Sequence, residues 1–121
     1  MPESKLQKRK SFTLDEAIEW IYSVKLVSAK AKVAAEYFNY GSSRAVYNRM
    51  RYLGTTWSTE VDQAKKVTFE KLWHENPNKS CQYYCYEAGF SDGPAFSRAL
   101  KRWYGVSWKY FKNNPDRYLN M

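Results

Sequence analysis

Arg98, Lys101 and Arg102 fall within one short stretch of the segment Cys81 to Lys112, CQYYCYEAGFSDGPAFSRALKRWYGVSWKYFK. Spacings of three and four residues put such side chains on adjoining turns of one helix face. Guanidinium and ammonium groups displayed this way hold phosphates and base edges. A basic helix that follows a Gly-containing turn is also the arrangement that lets a helix-turn-helix enter a DNA groove. No other reactive types assemble in the chain. Glu60, Asp62 and the serines lack a paired base, an activated nucleophile or a metal set, so the chain is not expected to be an enzyme. Cys81 and Cys85 lie one helical turn apart and do not make a disulfide framework. The only histidine, His74, falls in a different element, so no zinc site is expected. The two cysteines read as small buried apolar residues, and no cofactor is expected.

Charge points the same way. The 121 residues carry 20 Lys and Arg against 12 Asp and Glu, a formal net charge of +8. That balance favours a polyanionic partner, nucleic acid before an anionic membrane. Its distribution is uneven. Acids gather early, at Asp15, Glu16 and Glu19. Arg44 to Arg51 holds three arginines and no acid, and Ser91 to Lys112 holds five basic residues opposed only by Asp92. No stretch approaches the roughly 20 apolar residues of a membrane span. MPESKLQKRKSF is charged but is followed by no apolar h-region, which argues against a secretion signal. With only two cysteines, the expectation is a reducing compartment, the cytoplasm.

The elements that must position these groups are helical. Residues 1–11 read as a flexible basic tail. Thr13-Leu14-Asp15-Glu16 is a capping box that opens a helix whose apolar stripe runs through Leu14, Ile18, Ile21 and Trp20. A second helix spans about Ala29 to Phe38. Gly41 and Ser42 form a turn, with Ser42 or Ser43 as the N-cap of a third helix that carries Val46, Tyr47 and Met50 and stops near Gly54. A long helix follows from Trp57 to about Trp73, and Asn76-Pro77-Asn78 breaks it. A short helix covers Ser80 to Ala88 and ends at Gly89. Pro94 at a first helical position opens a helix to about Tyr104. Gly105 ends that helix, and Ser107 caps a last short one through Phe111. With no strand alternation, the fold class is all-α, with about seven helices. Phe96-x-Arg98-x-Leu100-Lys101 before Gly105 echoes Val46-x-Asn48-x-Met50-Arg51 before Gly54, about fifty residues earlier. The chain therefore divides into a first helix-turn-helix subdomain at 12–56, a linker helix at 57–75, a second helix-turn-helix subdomain at 76–113 and a C-terminal tail at 114–121.

Several residues together resemble the AraC/XylS family of bacterial transcription regulators. They are Ser80-Cys81-x-x-Tyr84-Cys85-x-x-x-Gly89-Phe90-Ser91, Phe96-Ser97-Arg98-x-Leu100-Lys101-Arg102, Tyr104-Gly105-Val106-Ser107 and Phe111-Lys112. Order and spacing are intact over more than thirty residues, and Phe12 to Trp73 fits the first half of that DNA-binding region more loosely. The chain is similar to the short free-standing members. The resemblance implies two helix-turn-helix subdomains bridged by one helix, each presenting its second helix to the major groove on one face of the DNA. It implies that Ser97 and Arg98 face DNA, that Ser43, Arg44, Tyr47 and Asn48 occupy the matching surface of the first unit, and that Phe96 and Leu100 are core. Arg51, Lys101 and Arg102 are placed against phosphates, and Ala95 against a thymine methyl.

The departures matter as well. Gly93, Pro94 and Ala95 stand where family members often carry polar side chains. Trp108 replaces the usual Pro. The first unit has an extra residue at Gly41, a shorter run before Gly54, and Asn48 in place of an arginine. Direct readout by the second unit therefore rests on Arg98 and Ser97. The expected partner is double-stranded DNA, bound as a monomer, with RNA polymerase as a further partner and no membrane. The competing reading is a degenerate helix-turn-helix that binds polymerase or another regulator and has weak DNA affinity. Tyr83, Tyr84 and Tyr86 could offer stacking to single strands, but on a helix before the turn they read as core and rim.

Overall fold

The computed structural model describes residues 11–119, and the basic segment 1–10 lies outside the described residues. All regular structure among the described residues is helical. The elements are α1 (Leu14–Ser23), a 3-10 turn (Leu26–Ser28), α2 (Ala31–Tyr37), α3 (Ser43–Tyr52), α4 (Trp57–Glu75), α5 (Cys81–Glu87), α6 (Gly93–Tyr104), α7 (Trp108–Asn113) and α8 (Pro115–Tyr118). The chain forms two compact units that meet in sequence at Val61 and Asp62, inside α4.

In the first unit the capping box closes as its residues dictate. The Thr13 N–H donates to Glu16 Oε1 at 2.8 Å, and the Glu16 N–H donates to Thr13 Oγ1 at 3.1 Å. Two of the unpaired donors at the start of α1 are thereby satisfied. Ala17, Trp20 and Ile21 of α1 are buried with Ala34, Ala35, Val46, Met50 and Trp57. Trp20 and Trp57 meet with ring centroids 5.8 Å apart, and the Trp57 indole N–H donates to the Ala29 carbonyl at 3.0 Å. Phe12 packs on Phe38 at 4.6 Å, while its carbonyl accepts from Arg49 Nε at 2.9 Å. Arg49 is thus a brace between α3 and the chain entering α1.

In the second unit Phe69 of α4 is the centre of an aromatic core. It meets Tyr84 and Phe96 edge-on at 5.5 Å and Phe111 at 5.2 Å. Tyr84 is buried, and its hydroxyl donates to the Asn76 carbonyl and accepts from the Lys79 N–H at 3.1 Å. That pair of bonds ties α5 to the break after α4. Residues 114–121 were expected as a tail, yet Pro115–Tyr118 is helical and Leu119 is buried in this core. Pro115 begins the turn with its φ already set, and Tyr118 stacks on Phe111 at 5.8 Å. Ser107 holds the cap position of α7, but its hydroxyl makes no capping bond.

The two helix pairs repeat one another at an offset of fifty residues, from Ala31 and Cys81 at the start of the first helix onward. The connecting turns, residues 38–42 and 88–92, are equal in length. In one the Tyr40 N–H donates to the Ala35 carbonyl at 2.7 Å, and in the other the Phe90 N–H donates to the Cys85 carbonyl at 2.9 Å. The left-handed position falls on Asn39 (φ 62°) and on Gly89 (φ 96°). The extra residue expected at Gly41 is therefore not an insertion. Asn39 serves where glycine serves in the second unit, as an asparagine can in that region of backbone space. The register follows: Ser42 matches Asp92, Tyr47 matches Ser97, Asn48 matches Arg98 and Arg51 matches Lys101.

Candidate nucleic-acid interface

Each pair ends in a helix with one buried and one open side. In α3, Val46 and Met50 are buried, while Arg44, Tyr47, Asn48 and Arg51 are exposed and Ser43 is half-buried. Arg51 Nη2 donates to Asn48 Oδ1 at 2.6 Å, a bond that uses the amide oxygen and none of the Asn48 NH2 donors. Tyr47 and Arg51 also line an open cavity of about 310 Å³ with Thr56, Trp57 and Ser58. No acid lies in α3. The open face thus offers guanidinium, phenol and carboxamide groups, which can bond phosphates and base edges.

In α6, Phe96, Ala99 and Leu100 are buried, and Pro94, Ser97, Arg98 and Lys101 are exposed. Arg98 and Lys101 sit three residues apart on that open side. Two residues expected at the interface also make contacts within the second unit, and of these Arg102 stays exposed. Ala95 is half-buried and packs on the second core, as its counterpart Ala45 is half-buried in the first unit. Arg102 pairs with Asp62 of α4, whose other oxygen accepts the Trp103 indole N–H at 2.9 Å. Its charge is partly compensated before any polyanion arrives.

The start of α6 differs from a bare helix N-terminus. Pro94 is the second helical residue rather than the first, because Asp92 is the N-cap and its Oδ1 accepts the Ala95 N–H at 2.8 Å. Ser42 caps α3 through the equivalent bond to the Ala45 N–H at 3.2 Å. One helix therefore opens with a neutral hydroxyl and the other with a carboxylate. That charge opposes the binding of a phosphate at the N-terminus of α6. An open cavity of about 480 Å³ lies beside Asp92, lined by Gln82, Tyr83, Tyr86 and Gly93 among others. In the sequence Asp92 stands out only as an acid opposing the basic segment. Its place two residues before Pro94 was the available signal for a cap.

No family model, no curated protein and no solved structure matches the chain. The site is therefore read from its own chemistry. Cys85 is buried with its thiol donating to the Asp92 carbonyl at 3.3 Å, and Cys81 is half-buried. Burial first, and then the neighbouring thiol or carboxylate, raises both thiol pKa values, so neither is primed as a nucleophile. Among the described residues no group of three or more His, Cys, Asp or Glu comes together to hold a metal. None of the described helices is long and apolar enough to cross a membrane. Tyr84 is core, Tyr83 is half-buried and Tyr86 is largely exposed, so the three tyrosines form no continuous stacking platform. His74 lies in the last turn of α4, where a cation complements the helix dipole.

Proposed function

We propose that this chain is a sequence-specific double-stranded DNA-binding protein that regulates transcription, reading DNA through the open faces of α3 and α6. The observation that carries the reading is the repeat itself. Two helix-turn-helix pairs of equal turn length each end in a helix free of acids, with Arg44 and Arg51 exposed on one and Arg98 and Lys101 exposed on the other. A net charge of +8 supplies the attraction that such an interface needs. The resemblance to AraC/XylS regulators supports the same reading and is consistent with a cytoplasmic location and monomeric binding.

Gly93 and Pro94 favour a second reading, a module that binds RNA polymerase or another regulator and touches DNA weakly, because they leave the tip of α6 poor in donors. Binding measured on duplexes selected from a random pool, across a salt series, separates the two. The DNA reading expects log K to fall linearly with log salt, with a slope of about −0.9 per phosphate neutralised, and one duplex to be preferred at physiological salt. Affinity that ignores salt rejects it, and equal affinity for every duplex leaves a nonspecific binder.

A further inference from the structure

We propose that Asp92 is a specificity-determining residue of the second unit, selecting at the tip of α6 a base that presents an amino group, cytosine or adenine, over guanine and thymine. This rests on the DNA-binding reading above and deepens it. Asp92 is exposed, and its cap bond to the Ala95 N–H occupies Oδ1. An ionised carboxylate has about four acceptor sites, so most remain open. No Lys or Arg among the described residues forms an ion pair with it, whereas Asp62 is paired with Arg102.

From residue 92 to residue 96, at the start of α6, Asp92 carries the one hydrogen-bonding side chain, although Glu87 of α5 lines the open cavity beside it. Gly93 and Pro94 carry no hydrogen-bonding side chain, and a Cβ placed on Gly93 would meet nothing within 4 Å. Ser97 and Arg98 come one turn later. Asp92 is one of the residues that line the open cavity of about 480 Å³ beside α5. In the major groove, guanine offers N7 and O6 and thymine offers O4, all acceptors, whereas cytosine N4 and adenine N6 are donors. A carboxylate can bond only the donors and is repelled by the acceptors and by phosphate. In the first unit, Ser42 at the matching position both donates and accepts and makes no such distinction.

The test uses the full chain and its preferred duplex, with each base pair of the half facing α6 replaced in turn. Asp92→Asn and Asp92→Ser retain a capping side chain, as Ser42 does in the first unit, and circular dichroism with thermal unfolding checks that both fold. Wild-type protein is expected to prefer cytosine or adenine at one position by about tenfold or more. Asp92→Ser should flatten that position to within about twofold and leave the half facing α3 unchanged. If Asp92→Ser instead tightens binding to every duplex equally and the preference persists, the carboxylate only repels phosphate and the assignment falls. If wild-type protein prefers no duplex, the failure lies in the DNA-binding reading, and the assignment falls with it before any variant is compared.

Discussion

Three cations on α6 occupy three different settings, and their substitutions should separate. Arg98 is exposed with its fork free for a base edge, Lys101 is an exposed point charge, and Arg102 is engaged with Asp62. Arg98→Ala is expected to cost about 1–3 kcal/mol on the preferred duplex and to relax one base position. Lys101→Ala should weaken all duplexes alike and lower the salt slope by about 1. Arg102→Ala should change binding least of the three, because that guanidinium already has an anionic partner. Fluorescence anisotropy with single-base variants of the site reads all three. Equal behaviour of Arg98→Ala and Lys101→Ala would make Arg98 a phosphate contact only. The same logic explains Arg49, an arginine in the most basic helix of the first unit, which is spent on the Phe12 carbonyl and the face of Tyr52.

Helix boundaries carry the next level of consequence. Thr13 makes a reciprocal capping box, whereas Ser107 holds a cap position without a bond. Thr13→Ala should therefore lower stability by about 1 kcal/mol, while Ser107→Ala should stay within about 0.5 kcal/mol. Urea unfolding of the two variants against wild type checks the pair, and equal losses would contradict the assigned caps. The same boundaries show what could be read in advance. The capping box, the Ser42 cap, the stop at Gly54, the break after α4 and the left-handed Gly105 are local signals, and each stands where the residues placed it. The turn after α2 was misjudged because Asn39, not a glycine, takes the positive φ. The final helix was missed because a single turn has no apolar period, and only its contact with Phe111 reveals Leu119 as core. The pairing of Arg102 with Asp62 spans forty residues of sequence and leaves no local trace.

At the scale of the whole molecule, the half-buried Tyr104 and the buried Tyr84 make stability depend on alkaline pH. Tyr104 donates to Glu70 Oε2 at 2.6 Å; its pKa is raised above the ordinary value of 10.0, by burial first and then by the bond to Glu70 and its charge. Lys66 Nζ lies over the ring, 5.5 Å from its centroid. Because the folded pKa lies above the unfolded one, this contribution is complete below about pH 10 and is lost as pH rises beyond it. Tyr84, fully buried, is also raised by burial first and adds to the same loss. Thermal midpoints followed from about pH 8 to about pH 11 should fall above about 10, and Tyr104→Phe should make that fall shallower. Identical slopes for the two proteins would remove Tyr104 as a cause. The aromatic cores have one more consequence. Trp20 and Trp57 are buried in the first unit, and Trp73, Trp103 and Trp108 belong to the second. Each unit thus carries its own set of native fluorophores. Replacing the indoles of one by phenylalanine leaves the emission of the other as an internal optical probe, and the melting of each half can be followed in the intact chain without an attached dye.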